Sequence, residues 1–451
     1  MRTLPLLAIL VLGAAPAAAQ TSLTIYNDGR VLVRRPIPLE LPRGVSQQKV
    51  PVGAVDPASV FPLDPDVTLL GTRYDAAVDE ASVLRRALGR RIGFVNGKDT
   101  ITAEVAGLDP ERYRLPDGSI SFRRPGIPLY PAELVSLDPT LTLTLRSAAP
   151  RHELRLGYFV PGGGWQASYQ VILGPAGSAR ILGSAVVNGG PLRMDGVELQ
   201  LLAGQVNVAP QPGYPARAEG ALMAKAAIGV EAASEEKVGE FHLYSVPGTV
   251  SLQPGVVTTV ALFEPATAPV TKAYEVQGQL PYWGGLPQSG DEAEIPVTVT
   301  YTVARARKTD FGDRPLPGGT ARLFQPDSAG RLQLIGETAI GHTAAGQDLR
   351  LPAGTAFDLT AKRVQTNYVT RRDTVPGGGW RTVATADYRV TLANAGTEPV
   401  VIDVLEQRAG EWSVISSSVK PEKLSSTRTR FRVPVAAGGK ATLTYRVRVV
   451  W

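Results

Sequence analysis

His152, His242 and His342 are the only imidazoles in the chain, and none belongs to a His-x-His or His-Glu-x-x-His pair. Gathered in space, three imidazoles would hold copper or zinc, and in an oxidising compartment such a site would support redox chemistry. The shared parity of His152 with Leu154 and Leu156 points instead to the inner face of a strand, as a core or strand-end histidine. Ser417 and Lys420 have the Ser-x-x-Lys spacing with which a lysine activates a serine in some acyl-transfer enzymes. That geometry needs one helical turn, whereas Trp412 to Val419 reads as a strand. Two Gly-Gly-Gly-Trp loops, Gly162 to Trp165 and Gly377 to Trp380, could bring backbone N–H groups against a phosphate. Neither continues into Gly-Lys-Ser/Thr or a helix, so both read as turns delivering a buried tryptophan, with Trp165 and Trp380 in structural roles.

The basic residues carry the remaining chemistry. From Arg85 to Arg124 there are nine (Arg85, Arg86, Arg90, Arg91, Lys98, Arg112, Arg114, Arg123 and Arg124) against five acids. Such a face, above all Arg85, Arg86, Arg90, Arg91, Arg123 and Arg124, suits an acidic protein partner, an acidic surface polymer or phosphorylated lipid. No aromatic-interleaved motif points to nucleic acid.

The positioning elements follow from composition. The 451 residues are 43% hydrophobic and only 20% charged, with formal net charge +6, which is the balance of a globular chain. Glycine (47) and proline (37) are too frequent for a helical bundle, and the length suggests several domains. The absence of cysteine excludes disulfides, thiolate metal sites, iron–sulfur clusters and cysteine nucleophiles, and no cofactor is called for. Met1 to Ala19 has Arg2, an apolar run from Leu6 to Leu12 and the tail Ala17-Ala18-Ala19, as expected of a cleaved secretory signal. No later stretch is apolar enough to span a membrane as a helix, so association with one would be peripheral. The alternating last strand, with Leu443, Tyr445, Val447, Val449 and Trp451 on one parity, would also suit an outer-membrane barrel. The Pro-interrupted, irregularly spaced strands before it favour the closing strand of a sandwich.

Period-two alternation dominates, as in Leu141, Leu143 and Leu145 among threonines and in Val297, Val299, Tyr301 and Val303. The expected fold is mainly β and multi-domain, with immunoglobulin-like β-sandwich modules, a small inserted β-barrel-like module and one short helix. Asp79 caps that helix, Val83, Leu84, Ala87 and Leu88 share its inner face, and Gly89 stops it. Asn96-Gly97 and Asp117-Gly118 mark hairpins in the insert. The expected division is a signal peptide over 1–19, an N-terminal β domain over 20–75, the helix and β insert over 76–138 and sandwich strands over 139–204. A mobile linker or loop (205–239, with a transient helix from Glu219 to Glu231), a β-rich domain (240–362) and a C-terminal sandwich (363–451) follow. The Gly-Gly-Gly-Trp echo, and Asn188-Gly189-Gly190 against Asn394-Ala395-Gly396, suggest two copies of one sandwich unit.

Leu23-Thr24-Ile25-Tyr26-Asn27-Asp28-Gly29, Val33-Arg34, Leu41-Pro42-Arg43-Gly44 and Asp56-Pro57-Ala58-Ser59-Val60 form an ordered series, followed by Tyr74-Asp75 and Gly89-Arg90. Further on come Tyr158, Gly164-Trp165 and Tyr169, then Phe241-His242-Leu243-Tyr244 with Pro247, Ile340-Gly341-His342-Thr343, Gly354-Thr355-Ala356-Phe357-Asp358 and the Asn394 strand pair. In this order they resemble mucoidy-inhibitor-like bacterial envelope proteins that carry the C-terminal domain of unknown function 4139. The resemblance implies an exported β-rich protein of the periplasm or cell envelope surface without an established reaction. Members carry a long helical hairpin in the first half where this chain has only the Asp79 to Leu88 helix, so no coiled-coil partner role is carried over. The expectation is an exported non-catalytic envelope protein that binds a protein partner or surface polymer; the rival is a copper or zinc enzyme using His152, His242 and His342.

Overall fold

The computed structural model describes residues 20–207, 232–279, 292–374 and 377–451. The expected signal segment, most of the expected linker including its transient helix, and Val375-Pro376 lie outside the described residues. Strands dominate, with two short α-helices among the described residues, so the protein is a multi-sheet β-sandwich protein as its alternation predicts. It divides into two compact units: Met1–Gln166 with Ala185–Leu262, and Ala167–Ser184 with Phe263–Trp451.

In the first unit a seven-stranded sheet has the order Ser234–Val238, Phe241–Leu252, Met194–Ala203, Ser22–Tyr26, Arg30–Leu41, Arg151–Pro161 and Phe61–Pro62. Leu23, Ile25, Val31 and Val33 are fully buried, the payoff of the alternation near the N-terminus. A three-stranded sheet of Gly44–Pro51, Thr140–Ser147 and Val67–Asp75 buries Leu141, Leu143 and Leu145 and leaves the intervening threonines part-exposed. The first strand pairs parallel with Met194–Ala203, so the expected segments 20–75 and 139–204 share one sheet. Ser234–Val238, expected in the linker, is a strand: it forms a hairpin with Phe241–Leu252 that turns at Gly239 (φ +62°). Backbone pairing with a neighbour carries it despite its polar Ser-Glu-Glu-Lys composition.

The insert is a five-stranded antiparallel sheet ordered Ile127–Leu129, Arg91–Asn96, Asp99–Leu108, Glu111–Arg114 and Ile120–Ser121. Asn96 pairs with Asp99 around Gly97 (φ +64°), and Asp117 accepts from the Ser119 N–H beside Gly118 (φ +85°), so both expected hairpins form. The helix Glu80–Arg86 is capped by Asp79, whose side chain accepts from Ser82 N–H at 2.9 Å, and it ends before Gly89 (φ +76°). Val83, Leu84 and Ala87 pack against Ile92, Phe94, Val105 and Tyr113. Leu88, expected on that face, is exposed, because it follows the helix's last turn and forms a bridge with Val105 instead.

In the second unit the strand Gly164–Leu173 pairs parallel, from Ala167 onward, with Gly319–Pro326, which pairs in turn with Leu332–Ile340. Val257–Gln279 pairs with Val297–Val303 and with Val400–Gln407, and the latter pairs with Arg428–Val435. These strands face a second sheet of Ala293–Ile295, Leu359–Thr374, Trp380–Asn394, Lys440–Val450 and Glu411–Ser417. Their shared core contains Val276, Val297, Leu359, Tyr388, Val404, Phe431, Tyr445 and Val447. The expected boundary at 362/363 falls inside the strand Leu359–Thr374 of one sandwich, and the two units divide at 166/167, 184/185 and 262/263.

Candidate ligand-binding surface

The six arginines singled out in the insert separate into two kinds. Arg86 is tied to Asp75 and to Leu134 O, and Arg124 clamps Glu111 through two hydrogen bonds of 2.9 Å and reaches Glu80 at 2.7 Å. Arg124 ties the helix to the insert sheet, and Arg86 ties it to the end of Val67–Asp75 and to the turn at Leu134. Hydrogen bonds from Arg124 and Tyr113 hold the Glu111 carboxyl down at about 2. Burial, then the Glu111 charge, pushes the Tyr113 hydroxyl up to about 12. Burial opposes ionisation of Asp75, yet hydrogen bonds from Arg86, Ala77 and Ser136 hold its pKa below the usual carboxylate value.

Arg85, Arg90, Arg91 and Arg123 are exposed and make no ion pair among the described residues; Arg85 donates only to the neighbouring Ser82 hydroxyl at 2.8 Å. Register shows where Arg91 points. Ile92 and Phe94 face the core, so Arg91, Gly93 and Val95 face outward. Arg91 lies opposite Glu104, which lies opposite Arg114 (Nε to Oε2, 3.5 Å), and Arg112 lies opposite Gly107, over which its guanidinium folds. Ile127 and Leu129 pair with Val95 and Gly93 on the same face, and Ile127 is 71% exposed. The outer face thus combines three arginines with one glutamate and an exposed aliphatic edge. Arg112 and Arg114, counted in the basic run but not ranked among its ligand residues, belong to this face because the hairpin at Gly97 sets Glu104 opposite Arg91 and the turn at Asp109-Pro110 sets Arg114 opposite Glu104.

The three histidines do not assemble. His152 is exposed at the end of its strand and contacts Glu40 at 2.8 Å, beside a register shift between Arg151 and Glu153; of the two expected placings it takes the strand end. His242 contacts Glu235 at 2.7 Å. Its strand stands four positions from that of His152 in the same sheet, about 19 Å at normal strand spacing. In the second unit His342 Nδ1 accepts from Gly318 N–H at 3.2 Å. Among the described residues no group of three or more His, Asp or Glu is placed to hold a metal ion. Ser417 ends a strand and donates to Val419 O at 2.7 Å, so it does not face Lys420 across a helical turn.

The two Gly-Gly-Gly-Trp segments part company. Trp165 is 6% exposed, donates Nε1–H to Leu202 O at 3.1 Å and meets Tyr244 edge-on, as its structural role predicts. Trp380, expected to be buried between sheets, is 71% exposed. It opens the strand Trp380–Asn394 at the far end of a long hairpin, opposite Thr374 and beyond the sandwich core. The asparagine echo does hold: Asn188 and Asn394 each accept from the N–H two residues on, at 2.9 Å.

Two shallow cavities lie among the described residues. One of about 420 Å³ lies in the insert between Asn96, Ile101, Leu115, Pro116, Ser121 and Pro125. The other, about 510 Å³, lies in the second unit beside Lys272 and Tyr301, with the Lys272 ammonium 4.8 Å above the Tyr274 ring. The first lining also holds Asp117, but Asp117 accepts from Ser119 while Ser121 donates to Arg123 O at 2.7 Å, so the carboxylate is not paired with that hydroxyl. Among the described residues no helix is long and apolar enough to cross a membrane. No family model matches the chain, and no curated protein matches it.

Proposed function

We propose that this protein is an exported, non-catalytic component of a bacterial cell envelope that binds an acidic partner, protein or surface polymer, through the outer face of its five-stranded insert. The observation that carries the reading is the convergence of Arg91, Arg112 and Arg114 with the exposed Ile127 and Leu129 on one rigid sheet face. Arginine clusters beside apolar surface suit carboxylate or phosphate recognition combined with burial of a hydrophobic contact. Export rests on the Arg2 to Ala19 pattern, and envelope residence on the ordered motifs that resemble the mucoidy-inhibitor-like family. Any membrane association would then be peripheral, and the function needs no cofactor.

The test is in-cell photo-crosslinking from position 91 of the tagged chain, with mass spectrometry of what is captured from the envelope. One acidic partner or polymer is expected, and the double charge reversal R91E/R114E should abolish its capture. Unchanged capture from another surface position in R91E/R114E would remove this face from the function.

A further inference from the structure

Three of the five tryptophans stand on one face at one end of the five-stranded sheet of the second unit. Thr382 and residue 451 exchange both backbone hydrogen bonds, at 2.8 and 3.0 Å, so Trp451 shares a sheet face with Thr382 and, two residues on, with Trp380. Trp412 pairs with Val449, on the parity of Trp451, which places it on the same face one strand further. The strands run in the order Trp380–Asn394, Lys440–Val450, Glu411–Ser417. Trp380, Trp451 and Trp412 therefore form a diagonal row with steps of about 7–8 Å.

The row is graded in exposure. Trp380 is 71% and Trp451 44% exposed, while Trp412 is part-buried against the sandwich core and anchors the inner end. Thr374 and Arg372 pair with Trp380 and Thr382, so one hydroxyl and one exposed guanidinium flank the indoles on the same face. Arg371, Arg381, Arg448, Asp373 and Glu411 stand on the reverse face, where Arg371 pairs with Asp373 at 3.2 Å, so Arg372 is the charge placed beside the indoles.

We infer that this row is a binding platform for an extended acidic polysaccharide. Each exposed indole offers a flat, electron-rich face to the C–H surface of a pyranose ring, and steps along the diagonal suit successive rings of one chain rather than a single compact ligand. The flanking hydroxyl and guanidinium suit sugar hydroxyls and an acidic ring substituent. Arg372 on the indole face favours an anionic occupant over a second copy of this chain, because a two-fold pairing of the patch with itself would oppose like charges. This inference does not depend on the arginine face of the insert, which lies in the other unit.

The test is affinity electrophoresis of the full chain in native gels containing polygalacturonate or neutral dextran. Selective retardation by polygalacturonate is expected, with W380A and W451A each weakening it about tenfold or more, as for exposed aromatic anchors. No retardation of the parent chain, or retardation unchanged in W380A and W451A, would overturn the platform. Retardation lost in R91E/R114E but kept in W380A would overturn it in favour of the insert face. Concentration-dependent self-association abolished by W380A, without polymer binding, would overturn it in favour of a dimer contact.

Discussion

Replacing Arg363 with methionine removes the guanidinium that pairs with the buried Glu406 carboxyl. Glu406 is 0% exposed in the C-terminal sandwich. Arg363 Nε lies 3.1 Å from its Oε1 and Nη2 lies 3.2 Å from Oε2, while the Tyr445 hydroxyl donates to Oε1. The guanidinium also stacks 4.0 Å from the centre of the Tyr388 ring. Methionine keeps much of the apolar stem and removes the charge. Breaking a buried pair from one side costs about 3–5 kcal/mol, against a total stability of about 5–15 kcal/mol for a typical domain.

The cost should depend on pH with a definite sign. Burial already pushes the Glu406 carboxyl up, against the opposing pull of Arg363 and Tyr445. Without Arg363 it rises further, so the folded state keeps a proton that the unfolded chain releases above about 4.3. Between that value and the raised folded value, stability falls as pH rises, by up to about 1.4 kcal/mol per pH unit, and below it this part of the cost is absent. Urea unfolding followed by tryptophan fluorescence in a W165F background reads the second unit, since Trp380, Trp412 and Trp451 lie in it and Trp165 lies in the other. The R363M midpoint should drop more at about pH 8 than at about pH 5, and R363M/E406Q should flatten the difference. A loss below about 1 kcal/mol, or the same loss at both pH values, would refute the buried-charge argument.

Two further outcomes follow from the contrasts within the fold. W165A should cost about 3–5 kcal/mol by emptying a core site, whereas W380A should change stability by no more than about 0.5 kcal/mol; equal effects in denaturant unfolding would contradict the asymmetry of the two loops. Glu111, held down by Arg124 and Tyr113, contributes stability that is present above its unfolded value and lost as pH falls towards about 2. Its carboxyl carbon should titrate near that value by NMR and move back to the ordinary glutamate range in R124M; an ordinary value in the parent chain would show that the clamp does not form.

Elements set by local chemistry were legible without coordinates. The Asp79 cap, the Gly97 and Gly118 turns and the buried Leu141, Leu143 and Leu145 stripe depend on neighbours within a few residues, and backbone sterics and side-chain parity fix them there. The tertiary structure decided the rest. Strand partners as distant as Ser22 and Glu198 joined segments that read as separate domains. His152 shares the parity of the buried Leu154 and Leu156 yet lies exposed, because it stands at the strand end beside a register shift against its partner. Identical Gly-Gly-Gly-Trp strings produced a buried and an exposed tryptophan, since burial depends on what the rest of the chain lays over a residue. The Arg91–Arg112–Arg114 face and the Trp380–Trp451–Trp412 row share this origin: each is made by strand register, and register is settled by pairing across the sheet rather than by the residues of any one strand.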